Sequence, residues 1–117
     1  MQKFVLVLEE DVTLRDTIIS MLEVVGYQAN GFSSARQVYD VLDAVKVDVL
    51  LISLSLFDLD GVHIAANARN HQQELKVVVA DWREIPKQLS PQIDAFLRKP
   101  FWIEELHITV EAVTSLL

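Results

Sequence analysis

Five residues of this chain have the types and the placement to do chemistry together: Glu9, Glu10, Ser53, Asp81 and Lys99. Each stands at or just past the end of a segment that reads as a β-strand, and in an open parallel sheet the reacting groups gather at the carboxyl ends of the strands. Glu9 and Glu10 follow the apolar run Phe4 to Leu8, and Ser53 closes the run Val49 to Ile52. Asp81 follows Lys76 to Ala80, and Lys99 lies in the loop Arg98-Lys99-Pro100-Phe101 after Ile93 to Leu97. Carboxylates are the hard oxygen donors that a divalent cation takes. A serine hydroxyl brings no charge to such a site, and it becomes a nucleophile only beside an oriented base. No histidine is placed to serve Ser53 as that base, so a structural serine at a buried strand end is expected. His63, His71 and His107 lie on two predicted helices without ligand spacing and read as surface residues. Asp58 and Asp60, in the loop beyond Ser53, read as solvated loop and helix-cap residues.

The elements that must position these residues are legible from hydrophobic periodicity. Phe4 to Leu8 and the third strand, Asp48 to Leu54, contain unbroken runs of strand formers, as expected of strands covered on both faces by helices. Tyr27 to Phe32 predicts a strand nearer an edge, because Gln28 and Asn30 alternate with Tyr27 and Ala29. Lys76 to Ala80 and Ile93 to Leu97 are the fourth and fifth. A first helix carries Leu14, Ile18, Met21, Leu22 and Val25 inward, capped by Asp11 or Thr13 and stopped by Gly26. Ser33 or Ser34 caps a second, carried by Val38, Val41, Leu42 and Val45. Gly61 opens a third, running to Asn70 with Val62, Ala65 and Ala68 inward. Pro86 and Pro91 predict a turn or a short distorted helix between Asp81 and Gln92. Trp102 to Leu117 is the last helix. Strands alternating with helices in this way define an α/β fold, a doubly wound parallel sheet with right-handed crossovers.

The last helix carries two apolar faces. Ile103, Leu106, Val110, Val113 and Leu117 form one stripe, while Trp102, Ile108, Ala112 and Leu116 populate another. One stripe suffices to cover a sheet. The helix is therefore expected to offer a partner surface, drawn from Trp102, Ile103, Leu106, Ile108, Val110 and Val113, to another protein or a second copy of the chain.

Composition bounds the function. A chain of 117 residues, 51% of them hydrophobic, is long enough for one domain with a proper core, spanning 1–117. Seventeen acidic against ten basic residues, a net charge of −7, argue against direct nucleic-acid binding by this domain. The absence of cysteine excludes disulfides, thiol catalysis and thiolate metal sites. No apolar run approaches the roughly 18 residues of a membrane span, and no signal-peptide region follows Met1-Gln2-Lys3, so a cytoplasmic location is expected. No glycine-rich phosphate loop follows any strand, which argues against a nucleotide or a flavin.

Glu9 and Glu10 after the first strand, Asp60-Gly61 in the loop beyond the third, and above all Lys99-Pro100-Phe101 after the fifth resemble the receiver domain of bacterial two-component response regulators. The resemblance covers essentially the whole chain and implies a flavodoxin-like fold with strand order 2-1-3-4-5. In receivers an aspartate ending the third strand takes a phosphoryl group from a histidine kinase, and acidic residues after the first strand help hold Mg²⁺. A Thr or Ser ending the fourth strand and the lysine after the fifth contact the phosphoryl group. By this resemblance Ser53 occupies the phosphoacceptor position, Glu9 and Glu10 the acidic pair, Asp81 the hydroxyl position, Phe96 the switch aromatic and Lys99 the lysine. Phe57 stands where a loop proline is frequent.

A serine cannot form the acyl phosphate, and a carboxylate at 81 repels a phosphoryl group. The resemblance therefore implies an atypical receiver, a pseudo-receiver without a catalytic residue. In it Glu9, Glu10 and Asp81 form an ion-pair cluster around Lys99, no cofactor is needed, and only weak Mg²⁺ binding at Glu9 and Glu10 remains. Its expected role is that of a phosphorylation-independent interaction or dimerisation module in signal transduction or transcriptional regulation. Two rival readings stay open. One is a conventional phosphorelay receiver with its phosphoacceptor displaced to Asp58 or Asp60; the other is a small-ligand sensor using the same strand-end crevice.

Overall fold

The apolar runs do become the strands of one sheet. In this computed structural model, which describes residues 2–55, 58–84 and 92–115, the strands are β1 (Phe4–Leu8), β2 (Gln28–Phe32), β3 (Val49–Ser53), β4 (Lys76–Asp81) and β5 (Ala95–Arg98). All neighbours pair parallel, in the order β2-β1-β3-β4-β5. The doubly wound order expected above is the one observed.

Alternation along the strands divides the core, because successive side chains of a strand point to opposite faces. Val5, Val7, Val49, Leu51, Val78 and Ala80 face one layer, formed by α1 (Val12–Val24) and α4 (Ile103–Thr114). Leu6, Leu8, Leu50, Ile52, Val77 and Val79 face the other, formed by α2 (Ala35–Ala44) and α3 (Leu59–His71). Every residue of β3 is buried, whereas Gln28 of the edge strand β2 is exposed.

The helices start where side chains satisfy their free N–H groups. Asp11 caps α1 by accepting from Thr13 and Leu14, and Ser34 caps α2 in a capping box with Gln37. Asp58 caps α3 by accepting from Asp60 and Gly61, so that helix begins at Leu59, ahead of the expected Gly61. Gly26, at φ 101°, ends the turn after α1 in the left-handed region that glycine adopts without strain. The expected strand boundaries shift by one or two residues at β2, β3, β4 and β5. The last helix is shorter than expected: Trp102 is its N-cap and not its first turn. Pro86, Pro91, Leu116, Leu117 and Phe57 lie outside the described residues.

Candidate functional site

The register of the parallel ladder assembles the site. Leu8 lies beside Ile52, Ser53 beside Ala80, and Asp81 beside Arg98, so the residues at or just past the strand ends, Glu9, Ser53, Asp81 and Lys99, converge. These four are the buried polar residues of the described chain, at 3%, 0%, 2% and 5% exposure. Burying a charge is costly unless it is paired and hydrogen-bonded, and the pairing is on view. Ser53 is fixed at the end of the fully buried β3, and its Oγ donates to Glu9 Oε1 at 2.8 Å. Lys99 Nζ lies 3.5 Å from the same oxygen and donates to the Leu54 carbonyl at 3.1 Å. The other carboxylate oxygen of Glu9 accepts the Asp11 N–H at 3.1 Å. Arg15, one turn into α1, ties that helix to the same point by donating to the Glu9 backbone carbonyl at 2.8 Å.

Asp81 is held differently from the expected convergence on Lys99. Its Oδ1 accepts the Arg83 backbone N–H at 2.8 Å and the Arg83 Nε at 3.2 Å, while Oδ2 accepts from the guanidinium at 3.3 Å. The side chains two apart thus form a turn closed by an ion pair, in which Arg83 is half exposed and Asp81 is not. The backbone of Lys99 donates to the Asp81 carbonyl at 2.8 Å. The Lys99 ammonium lies over the Trp82 ring, 5.9 Å from its centroid. Glu10 departs from the expectation: it is exposed, because it lies past the end of β1, where the chain turns into the α1 cap. Pro100 follows Lys99 through a cis peptide. Pro100, Phe101 and Trp82 border a small apolar cavity of about 100 Å³ against Leu14, Thr17, Ile18 and Met21 of α1.

The residues present do not fit a divalent cation. Such a site needs several hard oxygens from more than one carboxylate, yet Glu10 is exposed, the Asp81 carboxylate is bound by Arg83, and Glu9 already accepts from Ser53 and Asp11 and faces Lys99. The Lys99 ammonium supplies the positive charge there. Among the described residues no group of three or more His, Cys, Asp or Glu side chains could hold a metal ion.

The remaining residues singled out by sequence separate. Asp58 and Asp60 cap and open α3 and are exposed. Phe96 points outward from β5, 40% exposed. In α4 the expected partner surface needs correction. Leu106, Val110 and Val113 are buried against the sheet, because that stripe is the one that covers it, and Ile103 is half-buried. Trp102 and Ile108 remain exposed, at 75% and 68%. His63 stays apart, whereas His71 Nδ1 pairs with Asp43 at 2.5 Å and stacks on Tyr39. His107 meets the Tyr27 ring edge-on, near Glu111. Arg83, Arg15 and the Leu54 carbonyl were missed by sequence reasoning. Only Arg83 left a signal, an arginine two residues beyond a strand-ending aspartate, the spacing of a local side-chain turn.

An acidic residue and a lysine meeting at the ends of β1 and β5, around the tip of β3 in a 2-1-3-4-5 sheet, define a receiver-like centre. Residues 5–111 match the response regulator receiver domain model, and the chain belongs to that family of two-component signalling domains. It is 29% identical over 113 residues to the transcriptional regulatory protein BasR of Escherichia coli K12, covering 93% of this chain and 51% of that protein. It is equally identical, over the same length, to the virulence transcriptional regulatory protein PhoP of Salmonella typhimurium 14028s, covering 93% of this chain and 50% of PhoP. The chain thus spans about half the length of these curated relatives. Among solved structures, Vibrio cholerae chemotaxis protein CheY4 superposes with a TM-score of 0.87 at 19% identity, covering 97% of this chain and 99% of that one. The response regulator TrrA of Thermotoga maritima, solved in complex with Mg²⁺-BeF, gives 0.83 at 17% identity, covering 96% and 99%. No helix among the described residues is long and apolar enough to cross a membrane.

Proposed function

We propose that this domain is a phosphorylation-independent receiver, a pseudo-receiver that serves signal transduction or transcriptional regulation as a protein-interaction module and not as an enzyme. The observation that carries the reading is the Ser53 hydroxyl at the tip of β3, completely buried and donating to Glu9 at 2.8 Å. A receiver's acyl phosphate needs a carboxylate at that place, and the hydroxyl there cannot supply one. Glu9 is not a free base for it, since its carboxylate already faces the Lys99 ammonium and the Asp11 N–H. Asp58 is engaged as the α3 cap, which does not favour it as a displaced phosphoacceptor.

Regulation then acts through partners. The exposed Trp102 and Ile108 of α4, with Phe96 on the adjacent edge strand, form the surface for a protein partner or a second copy. The net charge of −7 keeps this domain off nucleic acid, so any DNA contact of the kind the names of BasR and PhoP suggest comes through another domain or protein.

Incubation with acetyl phosphate and Mg²⁺, read by intact mass, is the test. No phosphoryl adduct is expected, and Mg²⁺ or beryllofluoride is expected to leave the melting midpoint unchanged. An adduct mapped to Asp58 or Asp60 would replace this reading with that of a conventional receiver.

A further inference from the structure

We infer that Trp82 is a fixed lid over Lys99, held in place by Asp81, and that it closes the strand-end crevice from the α1 side. The inference rests on the receiver reading for its meaning, but its geometry stands separately. The Lys99 ammonium has three N–H directions, and three neighbours meet it: the Leu54 carbonyl at 3.1 Å, the Glu9 carboxylate at 3.5 Å and the Trp82 ring face at 5.9 Å. An ammonium over an indole is the strongest of the cation–π pairs. Trp82 is 53% exposed while Lys99 is 5% exposed, as expected when one ring face covers the lysine and the other meets water. Trp82 and Lys99 together also line the small cavity that Leu14, Ile18, Pro100 and Phe101 border.

The backbone under the lid is pinned from both sides. Arg83 N–H donates to Asp81 Oδ1 at 2.8 Å, Arg98 Nε donates to the Trp82 carbonyl at 2.9 Å, and Lys99 N–H donates to the Asp81 carbonyl at 2.8 Å. A carboxylate ending β4 closes this turn with a backbone bond and an arginine fork together, which a threonine or serine hydroxyl cannot do. Asp81 is thus a positioning residue for Trp82. Ser53, Asp81 and Trp82 act as one arrangement in which the chain's own ammonium fills the crevice and an aromatic ring covers it.

The test is protection of Lys99. Reductive methylation of the folded protein, mapped by peptide mass with exposed Lys46 as internal reference, is compared for wild type, Trp82→Phe and Trp82→Ala. Trp82→Ala is expected to raise the Lys99 rate relative to Lys46 by about fivefold or more, with Trp82→Phe close to wild type. Equal rates in wild type and Trp82→Ala would overturn the lid. In a Trp102→Phe background Trp82 is the sole indole. There Asp81→Asn, which keeps the side-chain shape but loses the charge, is expected to red-shift its emission and increase iodide quenching while circular dichroism stays native. An unchanged spectrum would remove Asp81 from the arrangement. A phosphoryl adduct on a wild type with protected Lys99 would sink the proposed function and leave the lid standing; an exposed Lys99 without an adduct would do the reverse.

Discussion

Ser53 and Glu9 differ in what their loss leaves behind, and that difference ranks their variants. Ser53→Ala removes one donor from Glu9, whose oxygens keep Lys99 and Asp11, so the cost is that of a buried hydrogen bond, about 1–3 kcal/mol. Glu9→Gln leaves a Lys99 ammonium, 3% exposed in its side chain, without its carboxylate, and breaking a buried pair costs about 3–5 kcal/mol. Urea unfolding should therefore rank Glu9→Gln well below Ser53→Ala; equal losses would mean that the pair carries no more than the hydroxyl. Tyr27 offers a separate test through pH. Burial, and then the hydrogen bond to Glu111 and its charge, push the phenol well above its ordinary value of 10.0. The folded state therefore holds the phenolic proton more tightly than the unfolded chain. Stability from this group is complete below pH 10 and declines as pH rises above it toward the raised folded pKa. Tyr27→Phe should lower stability at neutral pH and flatten that alkaline decline. At this scale the sequence displayed Ser53, Glu9 and Lys99 because strand ends converge, but not that the Asp81 carboxylate beside them turns to Arg83. The nearest competing partner, Arg83, was two residues away and bound locally.

Helix-to-sheet spacing explains what periodicity could and could not show about the elements. Caps were legible to within one or two residues, as Asp11 or Thr13 and Ser33 or Ser34, because cap side chains act within three residues of their own position; Asp11 and Ser34 are the ones used. Gln72 was not legible: its side chain crosses from the end of α3 to the carbonyls of Leu42 and Val45, closing the end of α2, a contact no local pattern encodes. The approach of α1 to β2 is likewise a tertiary fact. A Cβ on Gly31 would lie 2.6 Å from Ile19 Cδ1 and 2.7 Å from Arg15 Cγ. The isoleucine tip can move aside, but the arginine stem is fixed by its guanidinium bond to the Glu9 carbonyl. Gly31→Ala should therefore displace α1 and cost about 1–3 kcal/mol by overpacking. Pairing it with Arg15→Ala should recover part of that loss, and thermal unfolding of the single and double variants measures the coupling. Additive effects would show that Arg15 is not the obstacle.

The whole molecule was the most legible level, because a two-sided parallel sheet writes itself as unbroken apolar runs spaced by amphipathic segments. β3 needs both helical layers and is buried at every position. That same requirement decides which apolar residues of α4 are surplus. The sheet consumes Leu106, Val110 and Val113, and a helix has one face to give it, so the Trp102 and Ile108 side chains are left at the surface. Sequence could list both faces of α4 but not choose between them, since the choice depends on how the helix rolls against β4 and β5. Substitutions at exposed positions outside networks cost within about 0.5 kcal/mol, so Trp102→Ala combined with Ile108→Glu should melt with the wild type. Truncating a tryptophan anchor at an interface costs about 2 kcal/mol or more, roughly thirtyfold in affinity. Sedimentation over a concentration series reads a self-associating face directly, and calorimetric titration reads a partner protein. A lowered melting midpoint would give the two side chains a role in folding after all, and unchanged association would place the interaction surface of this acidic domain away from α4.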